Sequence, residues 1–243
     1  MHTMYSGMDA FTIDHVALTP PNAPDPNITQ GCPLCNNKMK LKQLRGHIGR
    51  HILFHLRGME ENIAQKVRVL ETLCGVRILT RFQIGRNPCG FCGASGCTTR
   101  LVVQGGKQRV ESNCRFYSPF KYGSAKKPTI SSPCTNVPIY CPHCKETIWK
   151  YNAADHISTT HHELSAGNLD KRLMVDIQVQ VQEERWMKVP PELTDRYRSE
   201  HNDLCLSGED LAVVEGEVEQ EREHTKKRSR HNTCNSKNKK QRH

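Results

Sequence analysis

The stretch CPLCNNKMKLKQLRGHIGRH, residues 32–51, sets two cysteines and two histidines at Cys32-x2-Cys35-x11-His47-x3-His51. The arrangement returns in CPHCKETIWKYNAADHISTTH, residues 141–161, as Cys141-x2-Cys144-x11-His156-x4-His161. Two thiolates and two imidazoles at these separations can close a tetrahedron around one Zn²⁺. Each cysteine pair needs a tight turn that aims both sulfurs inward, and Pro33 and Pro142 suit such a turn. Each histidine pair needs one face of a helix, which a spacing of four or five residues near a helix end provides. From Leu41 onward, Leu41, Leu44, Ile48 and Ile52 recur at three- and four-residue steps, predicting an amphipathic helix beside the first histidine pair. His55 reads as a surface residue beyond the site.

A disulfide framework is the competing use of these cysteines. The opening residues MHTMYSGMDAFTIDH have no charged region followed by an apolar core, and no apolar run approaches membrane-spanning length. A reducing compartment is therefore expected, where grouped cysteines and histidines bind metal more often than they form bridges.

Composition points the same way. Hydrophobic residues make up 36% of the 243 and aromatics 6%, which argues against one large core. Modules under about 40 residues rarely bury enough apolar surface to fold unaided, and zinc is the usual remedy. The net charge of +10 points to polyanionic or acidic partners.

A third cluster lies between the repeats, Cys89-x2-Cys92-x4-Cys97-x16-Cys114. Its knuckle NPCGFCGASGC is rich in glycine, as a backbone wrapped round a metal must be. The following TTRLVVQGGKQRVESN reads as a hairpin turning at Gly105-Gly106. Cys134 competes for a place in this third site.

The expected fold is thus a set of small zinc-stabilised α+β modules: two ββα-type C2H2 fingers flanking a Cys-rich zinc-ribbon-like hairpin, with disordered termini. In order, the chain reads as a disordered leader (1–29), a finger (30–58) and a helix/strand connector (59–85). A four-cysteine module (86–116), a Pro/Ser/Lys linker (117–137) and a second finger (138–163) follow. A helix (164–190) and an acidic, then basic, disordered tail (191–243) complete it. Trp149 and Tyr151 read as core, Cys74 as a small buried apolar residue, and Cys205 and Cys234 as free thiols.

The linked order CPLC, LRGHIGRH, NPCGFCGASGC, SSPCTNVPIYCPHC and DHISTTHH resembles a family of fungal C2H2-type zinc-finger proteins. These occur in many copies in basidiomycete genomes, often near transposon-like genes. The resemblance covers roughly residues 30–190. It implies Cys32, Cys35, His47 and His51 as ligands of the first site and Cys141, Cys144, His156 and His161 as ligands of the last. Cys89, Cys92, Cys97 and Cys114 fall at family-like positions, and the connector 59–85 reads as an insertion. The family is largely uncharacterised, so the match implies architecture more than activity.

Four protein ligands leave a zinc ion no open position, the mark of a structural site. Pro88-Cys89-x2-Cys92 is half of a zinc-deaminase signature, but the required Glu is missing from His55-Leu56-Arg57 and from Cys74-Gly75-Val76. No enzyme is expected. The first finger carries Lys38, Lys40, Lys42, Arg45, Arg50 and Arg57 and no acidic residue, which predicts nucleic-acid contact through Lys38, Lys40, Lys42, Arg45 and Arg50. DNA is expected ahead of RNA, over a short or weak site. Lys226, Lys227, Arg228, Arg230, Lys237, Lys239, Lys240 and Arg242 fit a bipartite nuclear import signal, so a nuclear location is expected. The alternative is a zinc-scaffolded adaptor that meets a protein through the second finger and helix 164–190.

Overall fold

Both Cys-x2-Cys pairs sit in the turn of a short hairpin that runs straight into a helix. β1 (Thr29–Gly31) pairs antiparallel with β2 (Lys38–Lys40) and α1 (Leu41–Leu56) follows. Much later β5 (Pro138–Tyr140) pairs with β6 (Thr147–Trp149), and a 3-10 turn (Lys150–Asn152) leads into α3 (Ala153–Thr160). A computed structural model of the chain describes residues 24–59, 84–104, 107–164 and 168–240. Most of the expected leader and of the connector, with Cys74, lies outside the described residues.

The two turns are built alike. Cys32 N–H donates to the Asn37 carbonyl (2.9 Å) and Cys141 N–H to the Glu146 carbonyl (2.8 Å). Asn36 N–H returns to the Cys32 carbonyl (2.8 Å) and Lys145 N–H to that of Cys141 (3.0 Å). Asn36 and Lys145 take φ of 59° and 65°, left-handed values that close the loop; asparagine adopts them readily, lysine less so.

α1 has no side-chain N-cap. The carbonyls of Ile28 and Pro26 accept from Leu41 and Lys42 N–H, both at 2.9 Å, so the preceding chain satisfies donors a cap would otherwise take. At the other end Gly58 (φ 68°) and the Met59 N–H to Phe54 carbonyl bond (2.9 Å) end the helix, as glycine just past a C-terminus commonly does.

Between the two hairpin–helix units, β3 (Thr99–Gln104) and β4 (Lys107–Ser112) pair antiparallel, and α2 (Tyr122–Ala125) is a single turn. Each sheet among the described residues is two-stranded. The architecture is small α+β, short hairpins plus helices.

One hydrophobic cluster joins all three units. Phe91 of the knuckle meets Trp149 edge-on (centroids 5.1 Å apart) and Tyr117 likewise (5.2 Å). Gly90 lies so close to the Trp149 indole that a Cβ there would sit 2.3 Å from ring atoms. A Cβ on Gly49 of α1 would stand 2.3 Å from the Cys134 sulfur, so the Gly46–Gly49 region that lowers helix propensity is what lets α1 approach its neighbour.

The two ends of residues 117–137, expected as a linker, are instead part of this core, while 123–133 stay at the surface. Tyr117 and Tyr122 are buried, their hydroxyls donating to the carbonyls of Val110 (2.8 Å) and Pro138 (2.9 Å). Cys134, Thr135, Asn136 and Val137 are buried too. Their polarity concealed this, because buried polar groups find partners that lie elsewhere in the chain.

The expected helix 164–190 is two helices, α4 (Lys171–Ile177) and α5 (Val181–Trp186). Gln178 separates them. Its buried side chain donates to the Met174 and Leu204 carbonyls (both 2.8 Å) and accepts from Leu206 N–H (3.2 Å), a set of bonds that an uninterrupted helix would forgo. The alternating IQVQVQ, residues 177–182, spans that break.

Asp170 caps α4, accepting from Arg172 and Leu173 N–H at 2.9 and 3.1 Å. Replacing it with Ala is expected to lower stability by about 1 kcal/mol, read as an earlier urea midpoint at unchanged slope.

The stretch 191–243, expected to be disordered, is helical where described except over 201–207. α6 spans Pro191–Glu200 and α7 Gly208–Lys240. α7 packs on α4, with Val218 buried and ion pairs Lys171–Glu217 (2.7 Å) and Arg172–Glu221 (3.6 Å). Opposite charges on two surfaces gave the acidic block a seat. No helix among the described residues is long and apolar enough to cross a membrane.

Candidate metal centres

Three groups of four side chains converge: Cys32, Cys35, His47 and His51; Cys89, Cys92, Cys97 and Cys114; Cys141, Cys144, His156 and His161. Within each, one donor atom per residue lies within 4.8 Å of all the others. The local folds explain why. Each hairpin turn presents two sulfurs, and the first turns of the following helix bring the histidines over them. His161 stands one residue beyond the end of α3, its N–H bonded to the Ile157 carbonyl (2.9 Å). That extra residue accounts for the wider His156–His161 spacing.

In the middle group the knuckle supplies Cys89, Cys92 and Cys97, and Cys114 returns after β4. Gly93 (φ 77°) and Gly96 (φ 93°) take left-handed turns that fold the knuckle back on itself. Gly93 N–H donates to the Cys89 carbonyl (2.7 Å), and the Ser112 hydroxyl accepts from Cys114 N–H (3.2 Å). Cys134 is not in the group; it lies buried against Gly49.

Do these donors fit zinc? Bond lengths of ~2.3 Å to sulfur and ~2.0–2.1 Å to nitrogen, at tetrahedral angles, imply edges of about 3.8 Å for S···S, 3.5 Å for S···N and 3.3 Å for N···N. Cys92 and Cys97 sulfurs are 3.7 Å apart. Cys32–His51 and Cys35–His47 are 3.7 and 3.1 Å, and His47–His51 is 2.9 Å, all through Nε2. Cys141–His161 and Cys144–His156 are 3.5 and 3.4 Å. The donor sets fit a tetrahedral ion.

The electrostatics suit a cation there. Burial pushes the Cys32 thiol up to about 12 and raises that of Cys144. In the middle group, hydrogen bonds from Cys114 and Cys89 hold Cys92 low, while Cys89, donating to Cys114 and Cys92, is raised. With four sulfurs this close, several thiolates can coexist only around a dication. Burial, then the charge of His161, lowers His156 and favours the neutral imidazole that a metal ligand requires.

The basic residues expected to touch nucleic acid divide. Lys38, Lys40, Lys42 and Arg50 are exposed. Lys42 donates to the Asn27 side chain (3.0 Å), and the Arg50 guanidinium lies over the Phe54 ring at 4.8 Å. Arg45 is different. It donates to the Asn136 carbonyl at 2.6 Å and stacks over Phe120 at 4.6 Å, so it holds α1 to residues 120–136. In the tail, the side chains of Lys226, Lys227, Arg228, Arg230, Lys237, Lys239 and Lys240 lie outside the described residues, as does Arg242 altogether.

Two buried carboxylates escaped the sequence reading. Glu183 accepts from Thr135 N–H (2.8 Å), from the Thr135 hydroxyl (2.7 and 2.8 Å to its two oxygens) and from the Tyr151 hydroxyl. Lys150, whose pKa burial lowers, donates to the same Thr135 oxygen at 2.9 Å. Glu184 pairs with Arg57 at 2.6 Å, and Arg57 lies over the Tyr197 ring at 3.6 Å. Both glutamates sit in the charged VQEERW of α5, and no local pattern marks them as inward-facing.

No protein-family model, no curated protein and no solved structure matches this chain. The class defined by fold and site is therefore a small α+β protein with three Cys/His clusters able to hold metal.

Proposed function

We propose that the protein is a zinc-scaffolded nucleic-acid-binding protein of the nucleus, with two ββα-type fingers and a ribbon-like four-cysteine unit as its structural sites. The observation that carries this reading is the exposed cationic face of the first unit. Among the described residues, Lys38, Lys40, Lys42 and Arg50 stand free of carboxylate partners on β2 and α1. Zinc held by four protein ligands keeps the backbone in place and leaves no position for substrate, so the role is binding and not catalysis. Mobile-element origin and host regulation both accommodate such a protein. A zinc-scaffolded adaptor is the competing reading, favoured by the acidic half of α7.

The test uses the full-length zinc-loaded protein with Lys226, Lys227, Arg228, Arg230, Lys237, Lys239, Lys240 and Arg242 changed to Gln, so that the tail does not mask the fold. Fluorescence anisotropy with labelled single strands and duplexes is followed at three salt concentrations. Salt-dependent binding that falls in the K38Q/K40Q/K42Q/R50Q variant, at unchanged zinc content, is the expected result. Absence of binding to every polymer at the lowest salt would overturn it in favour of the adaptor.

A further inference from the structure

α1 is poorly placed to read a duplex. Leu41, Leu44, Ile48, Gly49, His51, Ile52 and Leu53 are buried, and Arg45 ties the helix to residues 120–136. A major groove ~12 Å wide just admits a bare helix ~10–12 Å across. A helix with a second wall fastened to its flank is too broad to enter.

That second wall creates a groove. Lys42, Gln43, Arg45, Gly46 and Arg50 form one side, Ser131 to Cys134 the other, and Met187 contributes to the lining; the free volume is about 320 Å³. No carboxylate among the described residues lines it. Lys42, Gly46 and Arg50 follow one another at four-residue steps, so the cations Lys42 and Arg50 stand at the two ends of one line along the groove, with Arg45 beside it. From Lys42 to Arg50 the helix rises ~12 Å, enough for about three phosphates at ~3.4 Å or more apiece.

Resting on the nucleic-acid reading above, we infer that this groove binds the phosphodiester backbone of a single-stranded nucleic acid, about three nucleotides at a time. Arg45 is the preorganised element. One of its five N–H donors is held by the Asn136 carbonyl and its plane by Phe120, which fixes a guanidinium whose other donors can reach a phosphate. Lys42 and Arg50 are the adjustable cations at either end. The exposed Ser131 and Ser132 on the facing wall add hydroxyl donors. The lining has no aromatic ring for bases to stack on, so the groove reads backbone and not sequence.

The same tail-neutralised, zinc-loaded full chain carries the test. K42Q/R50Q alters the groove, while K38Q/K40Q alters β2 outside it. A 12-nucleotide single strand of DNA, its RNA counterpart and a duplex serve as probes. Groove substitution is expected to weaken single-strand binding on the order of 20-fold at 0.1 M salt and lower the log–log salt slope by about 1.4. K38Q/K40Q is expected to change single-strand affinity less than about threefold. Equal loss on DNA and RNA strands supports backbone recognition. A preference for duplex, or a loss confined to K38Q/K40Q, would overturn the groove while leaving nucleic-acid binding intact. No binding by any probe would overturn both.

Discussion

Changing Cys89 to Ser is expected to unfold the whole described core, not the middle unit alone. A structural zinc contributes ~10–16 kcal/mol of apparent free energy to a small module. Domains of this kind retain only ~5–15 kcal/mol in net stability. Loss of one site therefore outweighs what remains, provided the units share a core. They do: Phe91 and Gly90 of the knuckle pack on Trp149, and Gly93 approaches Leu34 of the first unit, where a Cβ would stand 2.7 Å from its methyl carbon. Independent fingers would behave otherwise, each holding its own ion. The measurement is zinc content after desalting, together with the near-ultraviolet circular dichroism of Trp149 and Trp186. Loss of all the bound zinc and of the aromatic signal is the expected result. A variant that keeps two zinc ions and a sharp thermal transition would show the units to be autonomous.

The second large effect belongs to Arg57 and Glu184. Both are almost fully buried, and Glu184 faces two guanidinium nitrogens of Arg57 at 2.6 Å. Removing one partner leaves the other charge buried without compensation, which is worth ~3–5 kcal/mol in such settings. Glu184→Gln is expected to lower stability by about that amount in zinc-saturated buffer, read from urea midpoints. The double replacement Arg57→Met with Glu184→Leu is expected to recover most of it, because two apolar side chains carry no desolvation penalty. Should the single variant melt like the parent, the pair would have to be solvated in solution. The consequence reaches α1. Arg57 follows the helix immediately, so the pair clamps its C-terminal end to α5 much as Arg45 clamps its middle to Asn136.

The groove depends on both clamps. It exists because α1 is held beside residues 131–134, so variants that loosen the helix should weaken binding as well as stability. For that reason Lys42 and Arg50, which are exposed, test recognition more cleanly than Arg45.

The two groups of two cysteines and two histidines were legible in the chain itself. Their donors lie within a hairpin turn and the following helix or the residue just past it, and spacing over some twenty residues is enough to bring them together. The apolar steps of α1 were legible for the same reason, since helical period is local. Tertiary structure decided what depended on distant partners. Cys97 stands with Cys89, Cys92 and Cys114, whereas Cys134 packs on α1, a choice that composition cannot make. Arg45 bonds across 91 residues and Arg57 across 127. A basic residue near a helix start looks the same in sequence whether it faces solvent or a carbonyl, and a glutamate looks the same whether exposed or paired. Local spacing sets which atoms can share an ion; only the packed chain sets which charges are left to meet another molecule.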